Sequence, residues 1–116
     1  MSTRRDTSFL NDILVATGKI ATIVAATSEK SFLADEVLQA AVLHHLTVIG
    51  EAINRLSPAI REKHPEVPWR RIVSVRNRIV HGYFDLDWQI LWVAATEESP
   101  ELQRQITTLI EDDFPQ

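Results

Sequence analysis

Apolar residues recur along this chain at intervals of three and four, the spacing of amphipathic helices and not of strands. Over residues 9–24, Phe9, Leu10, Ile13, Leu14, Ile20, Ala21, Ile23 and Val24 keep that rhythm, with Gly18 the one weak point, so a first helix is predicted there. Thr27, Ser28 and Ser31 make a polar break, and Ser28 or Ser31 can cap the next helix by accepting backbone N–H bonds. That second helix, over about residues 33–56, is apolar on two sides. Ala34, Leu38, Ala41 and Val48 line one side, and Val42, Leu46, Ile49, Ile53 and Leu56 cover another. One intradomain core needs only one such stripe, so part of this helix is expected to face a second subunit. Gly50 in its interior costs about 1 kcal/mol against alanine, and the usual return is close approach of a neighbouring helix.

Ser57-Pro58 reads as an N-cap followed by proline at the first helical position, predicting a short helix that ends near Lys63 before Pro65. Pro68 opens a third long helix carrying Ile72, Val75, Ile79 and Val80, expected to end at Gly82 in the left-handed conformation. Asp85 or Asp87 can cap a fourth helix with Trp88, Ile90, Leu91, Trp92, Val93 and Ala94. Ser99-Pro100 looks like the cap of a last helix built on Leu102, Ile106, Leu109 and Ile110, with the tail EDDFPQ expected to fray. No repeat or long linker interrupts the pattern. The expectation is one all-α domain over residues 1–116, an up-and-down antiparallel bundle of four to five helices.

Composition narrows the chemistry. With 45% hydrophobic and 24% charged residues the chain can fill one core, and three glycines and five prolines leave little material for a turn-rich sheet. Zero cysteines remove disulfides, thiolate zinc sites and thiol nucleophiles together. MSTRRDTSFLNDIL carries charges too early for a secretory signal, and no uninterrupted apolar run reaches 18 residues, so a cytoplasmic protein without a membrane partner is expected. The formal charge of −4 hides an asymmetry: residues 53–83 hold seven basic and two acidic side chains, a net +5, leaving −9 for the rest. Such a segment can meet an anion while the remainder keeps the protein soluble.

The stretch RNRIVHGYF, residues 76–84, concentrates this charge. On a helix Asn77 and His81 share a face, with Arg76 one position round. Arg76 offers a planar fork of donors that matches two phosphate oxygens. Imidazoles as a class titrate close to neutral pH, which makes His81 a candidate to take a proton from a ribose 2′-OH or give one to a leaving 5′-oxygen. Together they form a sufficient kit for metal-independent RNA transesterification. One histidine is thin for a reaction needing both a base and an acid, and a symmetric dimer would supply two. Asn77 can orient His81 or a phosphate oxygen, and Arg70, Arg71 and Arg78 are further phosphate-contact candidates. The competing reading is structural, since Arg, Asn, His and Gly are ordinary residues at a helix end.

Other polar residues read more plainly. His44 and His45 point about 100° apart on a helix and do not chelate one ion together, so no metal site and no cofactor are expected. His64, before Pro65, reads as a helix-end residue. Glu51 lies amid apolar neighbours and needs a partner, expected to be an arginine of another helix or subunit. Trp69, Trp88 and Trp92 are expected as core or interface anchors.

The ordered segments IGEAINRLSP, VPWRRIVSVRNRIVHGYF and DWQILWV resemble the HepT family of HEPN domains over roughly residues 6–113. The HEPN signature is arginine, four to six residues, then histidine, and the HepT form adds one residue and a tyrosine; here these are Arg76, His81, Gly82 and Tyr83. The resemblance implies an all-helical, metal-independent endoribonuclease toxin of a type VII toxin–antitoxin pair, acting as a homodimer on RNA. It places Arg76 and His81 at a composite active site, with Asn77 supporting them. It further implies that an MntA-type minimal nucleotidyltransferase partner silences the enzyme by transferring AMP to Tyr83. The other function open to such a chain is non-catalytic: a nucleotide- or RNA-binding module, or a substrate-presenting subunit of the nucleotidyltransferase.

Overall fold

Two helices grip the central one from opposite flanks, and this arrangement buries one of its two apolar stripes. The structure, a computed structural model, describes residues 2–115, with side chains from Arg5 onward. Its helices are α1 (Ser2–Ala25), α2 (Glu29–Ala34), α3 (Glu36–Arg55), α4 (Pro58–Lys63), α5 (Trp69–His81), α6 (Trp88–Val93) and α7 (Ser99–Asp113). No strand occurs among the described residues. Helix α3 packs on α1 and on α5, and α1 also packs on α7, so the four long helices lie in the spatial order α5, α3, α1, α7. Val42, Leu46, Ile49 and Ile53 of α3 are buried with Leu10, Ile13 and Ile20 of α1 and Ile106 and Leu109 of α7. The stripe of Val42, Leu46, Ile49 and Ile53 is therefore consumed within the chain, whereas on the other side Ala34 is exposed and Leu38, Ala41 and Val48 are only partly buried.

Several boundaries differ from those read in the sequence. The helix expected from residue 33 is two helices, because Asp35 Oδ1 accepts the N–H groups of Val37 (2.9 Å) and Leu38 (3.2 Å) and starts α3 afresh. Gln39 Nε2 turns back to donate to the carbonyls of Phe32 (3.0 Å) and Leu33 (3.3 Å), satisfying the end of α2. Ser28 caps α2 as expected, accepting from Ser31 N–H at 3.2 Å. Phe32 of α2 is fully buried against Trp88 and Trp92, with ring centroids 6.2 and 5.2 Å away, which anchors both tryptophans.

Ser57 does not cap α4 with its side chain. Its N–H and hydroxyl both donate to the buried carboxylate of Asp6, at 2.9 and 2.7 Å, tying α4 to α1. Asp87, not Asp85, caps α6. Ser99 caps nothing: a π-helical turn, Ala94–Glu98, joins α6 to α7 in one continuous rod, and Ser99 Oγ is buried without a partner. Gly82 ends α5 at φ −137°, not in the left-handed region, and its N–H donates to Arg78 O at 2.8 Å. The stretch Arg5–Ala25 is long and apolar enough, by length and composition, to cross a membrane; here Leu10, Ile13, Ala16 and Ile20 lie in the core.

The C-terminal segment does not fray within the described residues. Helix α7 runs to Asp113, whose Oδ2 lies 2.7 Å from His64 Nε2 and whose Oδ1 lies 3.0 Å from Lys63 Nζ, while Glu66 Oε2 is 3.2 Å from His64 Nδ1. The same corner holds Trp69, which donates from Nε1 to His64 O at 3.0 Å. Burial opposes the charged imidazole, but hydrogen bonds to Asp113 and Glu66 outweigh it and raise the His64 pKa. The bond from His64 holds the Asp113 carboxyl below its ordinary range, reinforced by Lys63.

These directions fix the pH dependence of the latch. The His64 contribution is fully present below its ordinary 6.5 and is lost as pH rises through its raised value. The Asp113 contribution is present above its ordinary 3.8 and is lost as pH falls through its lowered value. The latch is thus strongest between roughly pH 4 and 6.5. Urea unfolding at pH 6 and pH 8 tests this: the wild type is expected to lose more stability across that interval than His64→Gln. Equal losses in the two proteins would remove the latch, since every ionisable group other than residue 64 is common to both.

Candidate active site

Helix α5 buries Trp69, Val75 and Ile79 and turns a polar edge outward. On that edge Arg70, Ser74, Asn77 and His81 follow at helical spacing along an open cleft of about 620 Å³. Asn54 at the end of α3 and Arg61 of α4 complete its lining, and Trp69 and Val73 give it an apolar wall. His81, at the last turn of α5, is exposed and has no hydrogen-bond or ion-pair partner among the described residues, so both ring nitrogens are open to a substrate.

Arg76 is held from two sides. Its guanidinium pairs with the Glu51 carboxylate of α3, and Nη1 donates to Asn77 Oδ1 at 2.8 Å. The expected arginine partner of Glu51 is therefore interhelical. Gly50 makes this crossing possible: a Cβ there would lie 2.6 Å from Arg76 Cγ and closer still to its Cβ, so only glycine lets α5 come this near. Arg76 Nε is buried without an acceptor. The arginine does not line the cleft; it stands beside it, joined to the lining through Asn77.

The remaining candidates divide between two faces. Arg70 and Arg78 reach the cleft, and Arg78 also borders a second groove of about 220 Å³ lined by Arg71, Asp85 and Asp87. Arg71 is drawn away, pairing with Glu98 at 3.2 Å. Past Gly82, a single 3₁₀ turn, Tyr83–Asp85, presents Tyr83 51% exposed, with no hydrogen bond to its hydroxyl among the described residues. Its ring meets Phe84 edge-on at 5.8 Å, and Phe84 is 97% exposed. The rings of His44 and His45 are 4.9 Å apart, and burial, then the charges of His44 and Lys19, lower the His45 pKa. No group of three His, Asp or Glu side chains is placed to hold a metal ion among the described residues.

Asn54 and Arg61 are additions that no local pattern singles out. Arg61 belongs to the basic segment, but a six-residue helix is too short for periodicity to say which way it faces. Chemically, the cleft combines an unengaged imidazole, three guanidiniums and two carboxamides from α3, α4 and α5, a surface suited to a polyanion with a proton-transfer group at one end.

Comparison with known proteins agrees with this chemistry. The family described as ribonuclease HepT-like matches residues 13–109. "Putative RNase TTE0752" of Caldanaerobacter subterraneus subsp. tengcongensis is 36% identical over 88 residues, covering 76% of this chain and 79% of that protein. "Putative RNase MJ1380" of Methanocaldococcus jannaschii is 32% identical over 106 residues, covering 91% and 97%. "Probable ribonuclease HepT" of Thermococcus cleftensis is also 32% identical over 106 residues, covering 91% and 96%. No solved structure matches the chain. The all-α bundle is of HEPN type, and the chain belongs to the HepT-like family of ribonucleases.

Proposed function

We propose that this protein is a metal-independent endoribonuclease toxin that cleaves RNA at a site built on Arg76, Asn77 and His81. The observation that carries the reading is His81: a solvent-open, unpartnered imidazole at the end of an arginine-lined cleft, with a guanidinium fixed beside it. In the reaction His81 takes the proton of a ribose 2′-OH; the 2′-oxygen attacks phosphorus and the bond to the 5′-oxygen breaks, leaving a 2′,3′-cyclic phosphate. In a homodimer the partner's His81 gives a proton to the departing 5′-oxygen. Arg76 and Asn77 bear on the charge that builds on the phosphate oxygens. The exposed apolar groups Val80, Tyr83 and Phe84 beside the site are available for pairing two copies.

Tyr83 is the off switch in this proposal, modified with AMP by an MntA-type nucleotidyltransferase. Its exposed, unbonded hydroxyl on a turn next to the cleft suits it as an acceptor, and an added phosphate there repels RNA. The second reading, RNA or nucleotide binding without cleavage, is favoured by one observation: Glu51 already occupies the Arg76 guanidinium.

Incubating the purified protein with RNA in EDTA separates the two readings. Products ending in 2′,3′-cyclic phosphate are expected, and binding without cleavage would leave only the binding module. Co-expression with the nucleotidyltransferase is expected to add AMP to the wild type and none to Tyr83→Phe by intact mass. Adducts that survive the substitution would remove Tyr83 from the scheme.

A further inference from the structure

Among the described residues three arginines are spent on carboxylates: Arg71 on Glu98, Arg76 on Glu51 and Arg104 on Glu101. Arg61 and Arg70 are not. Neither has an ion-pair or hydrogen-bond partner among the described residues, and they come together from α4 and α5 at the end of the cleft remote from His81. Arg70 and His81 stand eleven positions apart on α5, about 16 Å along the helix axis. That span is too long for one phosphate to touch both. Arg61 Nε is buried and lacks an acceptor, the condition of a donor that gains when an anion settles beside it. Asn54 of α3 adds a neutral carboxamide to the lining, and Trp69 is locked in place through His64 O. Glu62 borders the adjoining surface with them, bonds to neither among the described residues, and is not part of the cleft lining.

We infer that Arg61 and Arg70, with Asn54, form a second phosphate subsite that holds an RNA backbone phosphate away from the scissile one. This rests on the ribonuclease reading and deepens it: the enzyme then grips a single strand at two separated points along α5, and substrates too short to reach both are held weakly. Guanidinium forks suit phosphodiester oxygens, and the apolar Val73 between the two points tolerates any base.

The test is binding of a 2′-O-methyl decanucleotide, which cannot be cleaved through its 2′-oxygen, measured by fluorescence anisotropy over a range of salt. Arg61→Gln and Arg70→Gln are each expected to weaken binding about tenfold and to reduce the slope of log affinity against log salt by about 0.7, the value for one lost single-strand phosphate contact. Arg61→Lys is expected to restore the slope while recovering only part of the affinity, because it keeps charge without the fork. Arg55→Gln removes an equal charge outside the cleft and is expected to change affinity less than twofold. Thermal melts confirm that each variant folds. Equal loss in Arg55→Gln, or an unchanged slope in both cleft variants, overturns the subsite. AMP as a second probe separates the sources of phosphate: if AMP loses affinity in these variants as much as the decanucleotide does, the site takes free nucleotides and the RNA assignment fails. Because cleavage is not the readout, a protein that binds RNA through Arg61 yet cuts nothing sinks the nuclease reading alone, and one that cuts RNA with an unaltered slope sinks the subsite alone.

Discussion

His81→Ala is expected to lower the rate of RNA cleavage by about 10²–10⁴-fold, the range for removing a positioned proton-transfer group. Its stability should change by no more than about 0.5 kcal/mol, as for a surface side chain without partners. The separation follows from the structure: His81 is exposed and bonds to nothing among the described residues, so its removal opens no cavity and orphans no polar group. Single-turnover cleavage and thermal unfolding, run on the same preparations, check both halves. Activity within threefold of wild type would remove His81 from the chemistry, whatever its place in the cleft. Arg76→Ala is expected to be as inactive but less cleanly so, because it also leaves Glu51 without its partner.

Gly50→Ala is the second large effect, at a residue that offers substrate no functional group. The new methyl meets the first carbons of Arg76, which follow the α5 backbone and cannot swing aside like a side-chain tip. Helix α5 must shift against α3. Overpacking of this kind costs about 1–3 kcal/mol, partly offset by the roughly 1 kcal/mol gained in replacing a helical glycine. If Arg76 acts on the phosphate as proposed, displacing its guanidinium by about 1 Å is expected to cost on the order of 10²-fold in rate. Gly18→Ala is the matched control: nothing lies within 4 Å of a Cβ built there, so it should stabilise α1 by about 0.5–1 kcal/mol and leave cleavage intact. If both alanines behave alike, the close crossing at Gly50 is not what positions Arg76.

Much of the fold was legible where proline or a buried stripe marked it. Pro58 and Pro65 bracket α4, and Trp69 to His81 reads as a helix from Ile72, Val75 and Ile79. The break at Asp35 was hidden because Leu33, Ala34, Val37 and Leu38 keep helical spacing across it; a side chain capturing two backbone N–H groups decided it locally. The opposite error arose at Ser99-Pro100, where a cap-like pair lies inside a rod. Proline there cannot donate, and the wider π turn just before it accommodates the ring without ending the helix. Within the site, Asn77 and His81 were placed by their spacing of four. That Arg76 turns toward α3, and that Asn54 and Arg61 join the cleft, depends on contacts between helices distant in sequence, which periodicity does not encode.

The Glu51–Arg76 pair also bears on what the cleft ignores. A carboxylate attached to the neighbouring helix competes for the guanidinium at a high effective concentration, one that free phosphate or a mononucleotide in solution does not match. A polymer already held elsewhere in the cleft delivers its next phosphate at an effective concentration of the same kind, and can displace the carboxylate. In the proposed enzyme Glu51 would thereby act as a tethered competitor of small anions, and the grip of Arg76 would become a property that only a chain of linked phosphates can claim.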